Sequence, residues 1–358
     1  MAAAAQPQAS SAAGAAADPS PWRLALRRFL RNRVAVAFAA LFVLIVLFVL
    51  AAPLWAEHVA HTGPNQSHTL EELTIDGEKR DVVNPEGKPI GPVWFGADGK
   101  FFLGADSRLG RDEMVRLMYG GRVSLLVGVS SALFVVLAAI VLGLLAGYYG
   151  GWVDSVIARF LDVLWSLPVF LFGLAIGISL AIGGLKIGPI ELSGGSLWVP
   201  ILIISIFTLP YVARPIRGEV LALSKKEFVE AAIAQGASPL RVMFGEILPN
   251  LASTVIVFFT LAIANNMLFE AGLSFLGAGV QPPNSSWGTM ISVGEGLLTT
   301  APQLAIIPGT MIMLSVLSLN IVGDGLRDAL DPRSKVKTEE IQLAAHSGLS
   351  TVEGKTAP

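Results

Sequence analysis

Residues 224–250 read SKKEFVEAAIAQGASPLRVMFGEILPN, from Ser224 to Asn250, a polar and charged island between two long apolar runs. The spacing predicts two short helices joined by a hinge. Ser224 with Glu227 three residues later forms a capping box for the first helix, and Gly236 suits the left-handed position that closes it. Ser238 and Pro239 are the cap and first-turn residues of the second, which is expected to run to about Leu248 and stop at Pro249. In a chain otherwise built for lipid, an exposed helix pair of this kind is there for a partner.

The surroundings establish that the chain is built for lipid. Of 358 residues 53% are hydrophobic and only 15% charged, and the mean hydropathy is +0.65, a composition of integral membrane proteins. Cys is 0, so neither a disulfide framework nor thiol chemistry is available. The net charge of -2 gives no nucleic-acid surface, because basic residues punctuate the gaps between apolar runs rather than massing on one region.

Those gaps carry the topology. Arg23, Arg27, Arg28, Arg31 and Arg33 precede the run Val34 to Trp55. That run is about 22 residues, enough to cross a hydrocarbon core at 1.5 Å per residue. Further spans are expected at about Val123–Tyr148, Val156–Ile182, Leu197–Ala213, Leu251–Leu276 and Ala305–Val322. Cations before the first span, in the loop after the fourth (Arg214, Arg217, Lys225, Lys226, Arg241) and after the sixth (Arg327, Arg333, Lys335, Lys337) place both termini and the 224–250 island on the cytoplasmic side. Gly277 to Thr300, outside, has no Lys or Arg. Gly143 and Gly147 stand at GxxxG spacing and permit close helix approach.

The resulting division is a disordered Ala/Ser/Pro-rich tail at 1–20, a basic flank and first span at 21–55, an external lobe at 56–121, a core with spans two to six at 122–334, and a polar tail at 335–358. Residues 1–20 lack the basic region of a signal peptide, and the apolar run that follows is too long for one. The lobe carries turn signals and β-prone pieces at Leu73–Ile75 and Val93–Phe95. Gly104–Leu125 reads as an amphipathic helical approach to the membrane.

Reactive chemistry is sparse. Gly354-Lys355-Thr356 lacks the earlier glycine of a phosphate loop and follows no strand, so the chain is not expected to bind ATP itself. His58, His61 and His68 have irregular spacing with no acidic or thiol partner in a metal-binding pattern, and read as solvated loop residues. Among intramembrane polar residues, Asp162 and Asp324 fit the cytoplasmic boundary, within reach of water or a basic neighbour. Asn265, Asn266 and Glu270 fit either interhelix hydrogen bonding or a translocation pathway.

Glu230-Ala231-Ala232, Gly236 and Ile247-Leu248-Pro249 together resemble the EAA motif of bacterial ABC importer permeases, the loop that docks on a cytoplasmic ATPase. Leu103–Leu125, Leu273–Gly288 and Asn320–Arg333 narrow the resemblance to the "C" type subunit of dipeptide and oligopeptide permeases. It implies an all-α integral membrane fold of six helices of the type I importer permease, with an external lobe after helix one and a coupling loop between helices four and five. It further implies a homologous permease as heterodimer partner, two cytoplasmic ATPases that bind ATP and Mg, an external solute-binding protein, an inner-membrane location, and no cofactor or catalytic residue in this chain. Relatives import nickel complexes, glutathione and other small solutes, which leaves the cargo open. A stand-alone ion-coupled carrier would need internal repeat symmetry, and the sequence has no convincing repeat.

Overall fold

The computed structural model describes residues 21–75, 78–94, 99–106, 109–187, 190–192 and 195–330. The expected tails at 1–20 and 335–358, the Asp76-Gly77 turn and Phe95 lie outside them. Twelve helices are described: α1 (Pro21–Arg31), α2 (Arg33–Leu50), α3 (Ala52–His58), α4 (Glu113–Tyr149), α5 (Gly151–Ser166), α6 (Val169–Gly183), α7 (Trp198–Leu223), α8 (Glu227–Ala234), α9 (Pro239–Arg241), α10 (Leu248–Phe275), α11 (Trp287–Glu295) and α12 (Gln303–Leu330). Two antiparallel hairpins accompany them, β1 (Glu72–Ile75) with β2 (Glu78–Asp81), and β3 (Leu185–Ile187) with β4 (Ile190–Leu192).

Five helical segments are long and apolar enough to cross a membrane, and the pair α5–α6, bent by 80°, makes a sixth when the two helices are taken as one span. The third span, expected as one helix over about Val156–Ile182, is thus two helices with a sharp bend between them. Leu167 precedes Pro168 and is extended at ψ 134°, because the proline ring disfavours helical backbone at the residue before it. The second span begins ten residues earlier than the hydropathy indicates, at Glu113, so the membrane approach is helical only in its second half. The fourth continues past Ala213 to Leu223 and carries Pro210 and Pro215 in its interior, tolerated because it packs among other helices.

The core is centred on α4 and α7. An added Cβ at Gly143 would lie 2.6 Å from Ile216 Cγ2, and one at Gly147 would lie 2.6 Å from Val220 Cγ1, so the GxxxG pair brings these two helices together. On the other side Gly121 admits Trp287, which is fully buried and donates its indole N–H to Leu117 O at 2.9 Å. Trp287 opens α11, a helix inside what reads from sequence as a plain external loop. Its capping box uses Ser286 and Thr289.

The lobe has its own small core of Leu73, Val82, Phe101 and Ala105. The described residues of its second expected β-piece, Val93 and Trp94, lie in no strand, although they donate backbone N–H groups to Phe101 O and Phe102 O. His68 departs from the solvated reading: it is 7% exposed, with Nε2 against Thr62 Oγ1 at 2.7 Å and Nδ1 against Glu71.

Candidate functional site

The island between α7 and α10 is built differently at its start than the sequence predicts. Ser224 does not cap α8. It extends the end of α7, and its hydroxyl donates to Leu221 O at 3.1 Å and to Gly147 O at 3.3 Å on α4. The N-cap is Lys226, extended at φ -85° and ψ 148°, with no side-chain cap bond, so the Ser224–Glu227 capping box is absent. A serine hydroxyl bonds a nearby carbonyl as readily as an N–H, and here the close α4–α7 approach supplies the carbonyl.

The far end of α8 follows the sequence. Gly236 sits at φ +79°, its N–H donates to Ile233 O at 2.9 Å, and the Ala237 N–H donates to Ala232 O at 3.1 Å. These two bonds are the Schellman closure, which only glycine adopts without strain. Ser238 then caps α9, accepting from the Arg241 N–H at 3.4 Å, with Pro239 in the first turn.

The second helix does not stop at Pro249. A π-helical turn, Val242–Ile247, joins α9 to α10, so Pro239–Phe275 is one span. Proline lacks an N–H and crowds the carbonyl four residues back; the widened turn immediately upstream accommodates it.

Burial sorts the motif residues. Glu230, Ala231, Gly236 and Pro249 are exposed, and Ala232 and Leu248 are half-buried. Ile247 is 0% exposed, and so anchors the loop rather than meeting a partner. Val229, Val242 and Met243, which sequence reasoning passed over, are buried with it. Burying a valine side chain is worth about 1.5–3 kcal/mol, so Val229 holds the otherwise exposed α8 on the core. Phe228, Ile233, Leu240 and Phe244 are also missed residues. They are 37–64% exposed, and their signal was apolar side chains in an otherwise polar island.

The same region carries two ion pairs that tie α5 to α7. Arg217 forks onto Asp154, with Nη2 donating to Oδ2 at 2.6 Å, and Arg214 donates to Asp162 at 2.8 Å while lying over the Trp165 ring. Asp162 thus has the basic neighbour its boundary position calls for.

The three polar residues of α10 separate. Glu270 is fully buried and accepts from Ser124 Oγ on α4 at 2.8 Å and from Ser274 Oγ at 2.6 Å. Ser124 also accepts the Trp287 backbone N–H, and Ser274 accepts that of Val280, so the carboxylate sits where α4, α10 and the start of α11 meet. Asn266 donates to Ser131 Oγ on α4 at 2.9 Å and is likewise buried. Asn265 alone faces open space, a cavity of about 280 Å³ that Trp165, Phe207, Thr208, Tyr211 and Phe269 also line.

In the lobe, Asp112 caps α4, accepting the N–H groups of Val115 at 3.0 Å and Phe101 at 2.6 Å. Burial nevertheless pushes its carboxyl above the ordinary range. Burial acts the same way on Glu71, but Lys100 and His68 outweigh it and hold that carboxyl below its ordinary value. No group of three His, Cys, Asp or Glu residues among the described residues is arranged to hold a metal.

Residues 139–336 match the family described as "binding-protein-dependent transport system inner membrane component", and residues 20–69 match the "N-terminal TM domain of oligopeptide transport permease C". The chain is 36% identical over 316 residues to the glutathione transport system permease protein of Pectobacterium atrosepticum, covering 88% of this chain and 92% of that one. It is 34% identical over 319 residues to the dipeptide transport system permease protein of Alkalihalophilus pseudofirmus, covering 88% and 91%. A chain of the methionine ABC transporter MetNI, solved in inward-facing conformations, superposes over 61% of this chain and 97% of its own, with TM-score 0.49 and 16% identity. The matches run through the broken third span, the 224–250 island and the sixth span, so this multi-pass chain belongs to the inner-membrane permease family of binding-protein-dependent transport systems, with the N-terminal domain of its C-type peptide permeases.

Proposed function

We propose that this chain forms half of the translocation pathway of an ATP-driven importer of di- and oligopeptides, in the plasma membrane with both termini cytoplasmic. α8 is its docking element for a cytoplasmic ATPase. The observation that carries the reading is α8 itself: a short helix with Glu230 and Ala231 exposed, Val229 as its one buried residue, and a rigid Schellman closure at Gly236. Exposed Phe228, Ile233, Leu240 and Phe244 add the apolar area that a protein partner would cover.

In this mechanism the chain has no cofactor and catalyses nothing; ATP and Mg are bound by two partner ATPases. Closure of the ATPase pair displaces α8. Because Pro239–Phe275 is a single helical span and α7 ends three residues before α8, the displacement reaches Asn265, Asn266 and Glu270 as rigid-body motion. Asn265 is the polar lining residue of the pathway, whereas Asn266 and Glu270 hold α10 to α4. A homologous permease completes the pathway, and an external solute-binding protein delivers the peptide to the lobe side. The cation distribution supports the cytoplasmic assignment of the loop and both termini.

Glutathione import is the second reading, favoured by the 36% identical relative of that name. Both cargoes are short peptides, and a binding screen on the cognate solute-binding protein separates them. Purification of the tagged chain from its native membrane tests the machine. Two ATPase subunits are expected to come down with it; a chain that transports in vesicles with no ATPase present would contradict the reading and favour an ion-coupled carrier.

A further inference from the structure

The N-terminal helix α1, Pro21–Arg31, carries two parallel stripes that the transport reading does not use. At 100° per residue, Trp22, Leu26 and Leu30 fall within an arc of roughly 80°, and Arg23, Arg27 and Arg31 fall in the next arc of the same width. The apolar three are 56%, 58% and 58% exposed, and the three arginines are exposed as well. The third side of the helix faces protein. Phe29 of α1, with Ala35 of α2 beside it, seats on Gly325 of α12, where an added Cβ would lie 3.3 Å from the Phe29 ring and 2.6 Å from Ala35 Cβ.

Asn32 separates α1 from the membrane span. Its backbone is extended at φ -79° and ψ 92°, and its side chain caps α2 by accepting the Ala35 N–H at 3.1 Å. The exposed apolar stripe of α1 leads directly into α2, whose apolar window is only 17% buried and whose outer residues Val34, Val43, Leu44, Leu47 and Leu50 are all more than half exposed. A surface of that composition in a membrane span faces acyl chains.

We propose that α1 is an interfacial helix that lies on the bilayer, with Trp22, Leu26 and Leu30 in the acyl boundary and Arg23, Arg27 and Arg31 on the phosphates of anionic lipid headgroups. Three observations select lipid as the occupant. The apolar stripe is exposed and ends at Leu30, three residues before the start of α2 at Arg33, whose outer apolar residues are exposed too. The cationic stripe runs alongside it at matching register, as an interfacial helix requires, and an aromatic residue stands at the stripe's end, where amphipathic rings prefer the headgroup level. Juxtamembrane cations are drawn to an anionic leaflet, so the three arginines favour an anionic headgroup over a zwitterionic one. Because Phe29 and Ala35 rest on Gly325, lipid held by α1 also fixes the end of α12.

The chain has no cysteine, so Leu26→Cys and Arg27→Cys each create a single labelling position in the full chain. In vesicles of phosphatidylglycerol and phosphatidylethanolamine, a fluorophore at position 26 is expected to be quenched several-fold less by acrylamide than one at position 27. In detergent, native mass spectrometry is expected to find phosphatidylglycerol retained several-fold over phosphatidylcholine. That preference should collapse when Arg23, Arg27 and Arg31 are all changed to Gln, with the melting temperature unchanged. Equal quenching at the two positions overturns the proposal, as does a lipid preference that survives the triple substitution. So does protection at position 26 that appears only when the ATPase subunits are added, since that outcome puts a protein on this face.

Discussion

Gly236 holds φ at +79° in open space, with no atom within 4 Å of where a Cβ would stand. Its requirement is therefore purely one of backbone. Gly236→Ala is expected to cost about 1–2 kcal/mol, the usual penalty for an L-residue in the left-handed region, with no steric clash added. Gly236→Pro is far worse: proline fixes φ near -65° and removes the N–H that reaches Ile233 O. Ser124 carries a different load, because its hydroxyl donates to the buried Glu270 carboxylate and accepts the Trp287 N–H. Ser124→Ala leaves both groups short of a partner and is expected to cost about 1–3 kcal/mol. Thermal unfolding in detergent reads this as a drop in melting temperature, and an unchanged melt would contradict the assigned bonds. Glu71 gives the lobe a pH response. Its folded pKa lies below the unfolded value, so its contribution is present above that unfolded value and is lost as pH falls through the folded one. Asp112, shifted upward by burial, acts with the opposite sign and favours the folded lobe at low pH. Glu71→Gln is expected to reduce the loss of lobe protection on acidification, measured by hydrogen exchange of residues 68–82.

Among the elements, α4 and α7 depend on glycine for their approach. Gly147→Leu drives a side chain into Val220, whose Cγ1 is already 2.6 Å from an added Cβ, and meets the Leu221 backbone N at 2.9 Å. The helices must separate, which is expected to lower stability by several kcal/mol and to abolish uptake, with membrane insertion retained. Normal uptake by this variant would mean that the contact is dispensable. This packing was legible from the GxxxG spacing, as were the apolar runs of the spans, because hydropathy alone selects segments that tolerate lipid. The boundaries were not. Ser166-Leu167-Pro168 contains the signal for the break in the third span, but hydropathy stays high across it and hides a bend that only backbone sterics require. Likewise α7 outruns its apolar stretch, since the turns after Ala213 are paid for by Ile216 and Val220 against α4 and by Arg214 and Arg217 against α5. Ser286 and Thr289 cap α11 with a threonine where the usual pattern has Glu or Gln, so the sequence reads there as loop.

At the scale of the whole molecule, the candidate site was legible as a region and illegible as a surface. The motif spacing locates the island at Ser224–Asn250, and Gly236 and Ser238 take the roles their residue types predict. Burial divides it: Ile247 and Val229 point into the core, while Glu230, Ala231, Phe228 and Ile233 stand outside. No pattern in one sequence separates those sets, because the packing that decides between them is tertiary: Val229 and Ile247 join a core cluster that also holds residues of α4, α7 and α10. The same holds for Asn265, which lines the cavity, and its neighbour Asn266, which is locked to Ser131.

In the proposed mechanism α8 passes work from an ATPase to the span Pro239–Phe275. Vesicles containing the chain, its permease partner, the ATPase pair and a peptide-loaded binding protein test it directly, with Glu230→Arg and Gly236→Pro each compared with the native chain. Either substitution is expected to abolish ATP-driven peptide uptake while the chain still inserts and ATP is still hydrolysed; unimpaired uptake with either one would mean that α8 does not couple the two.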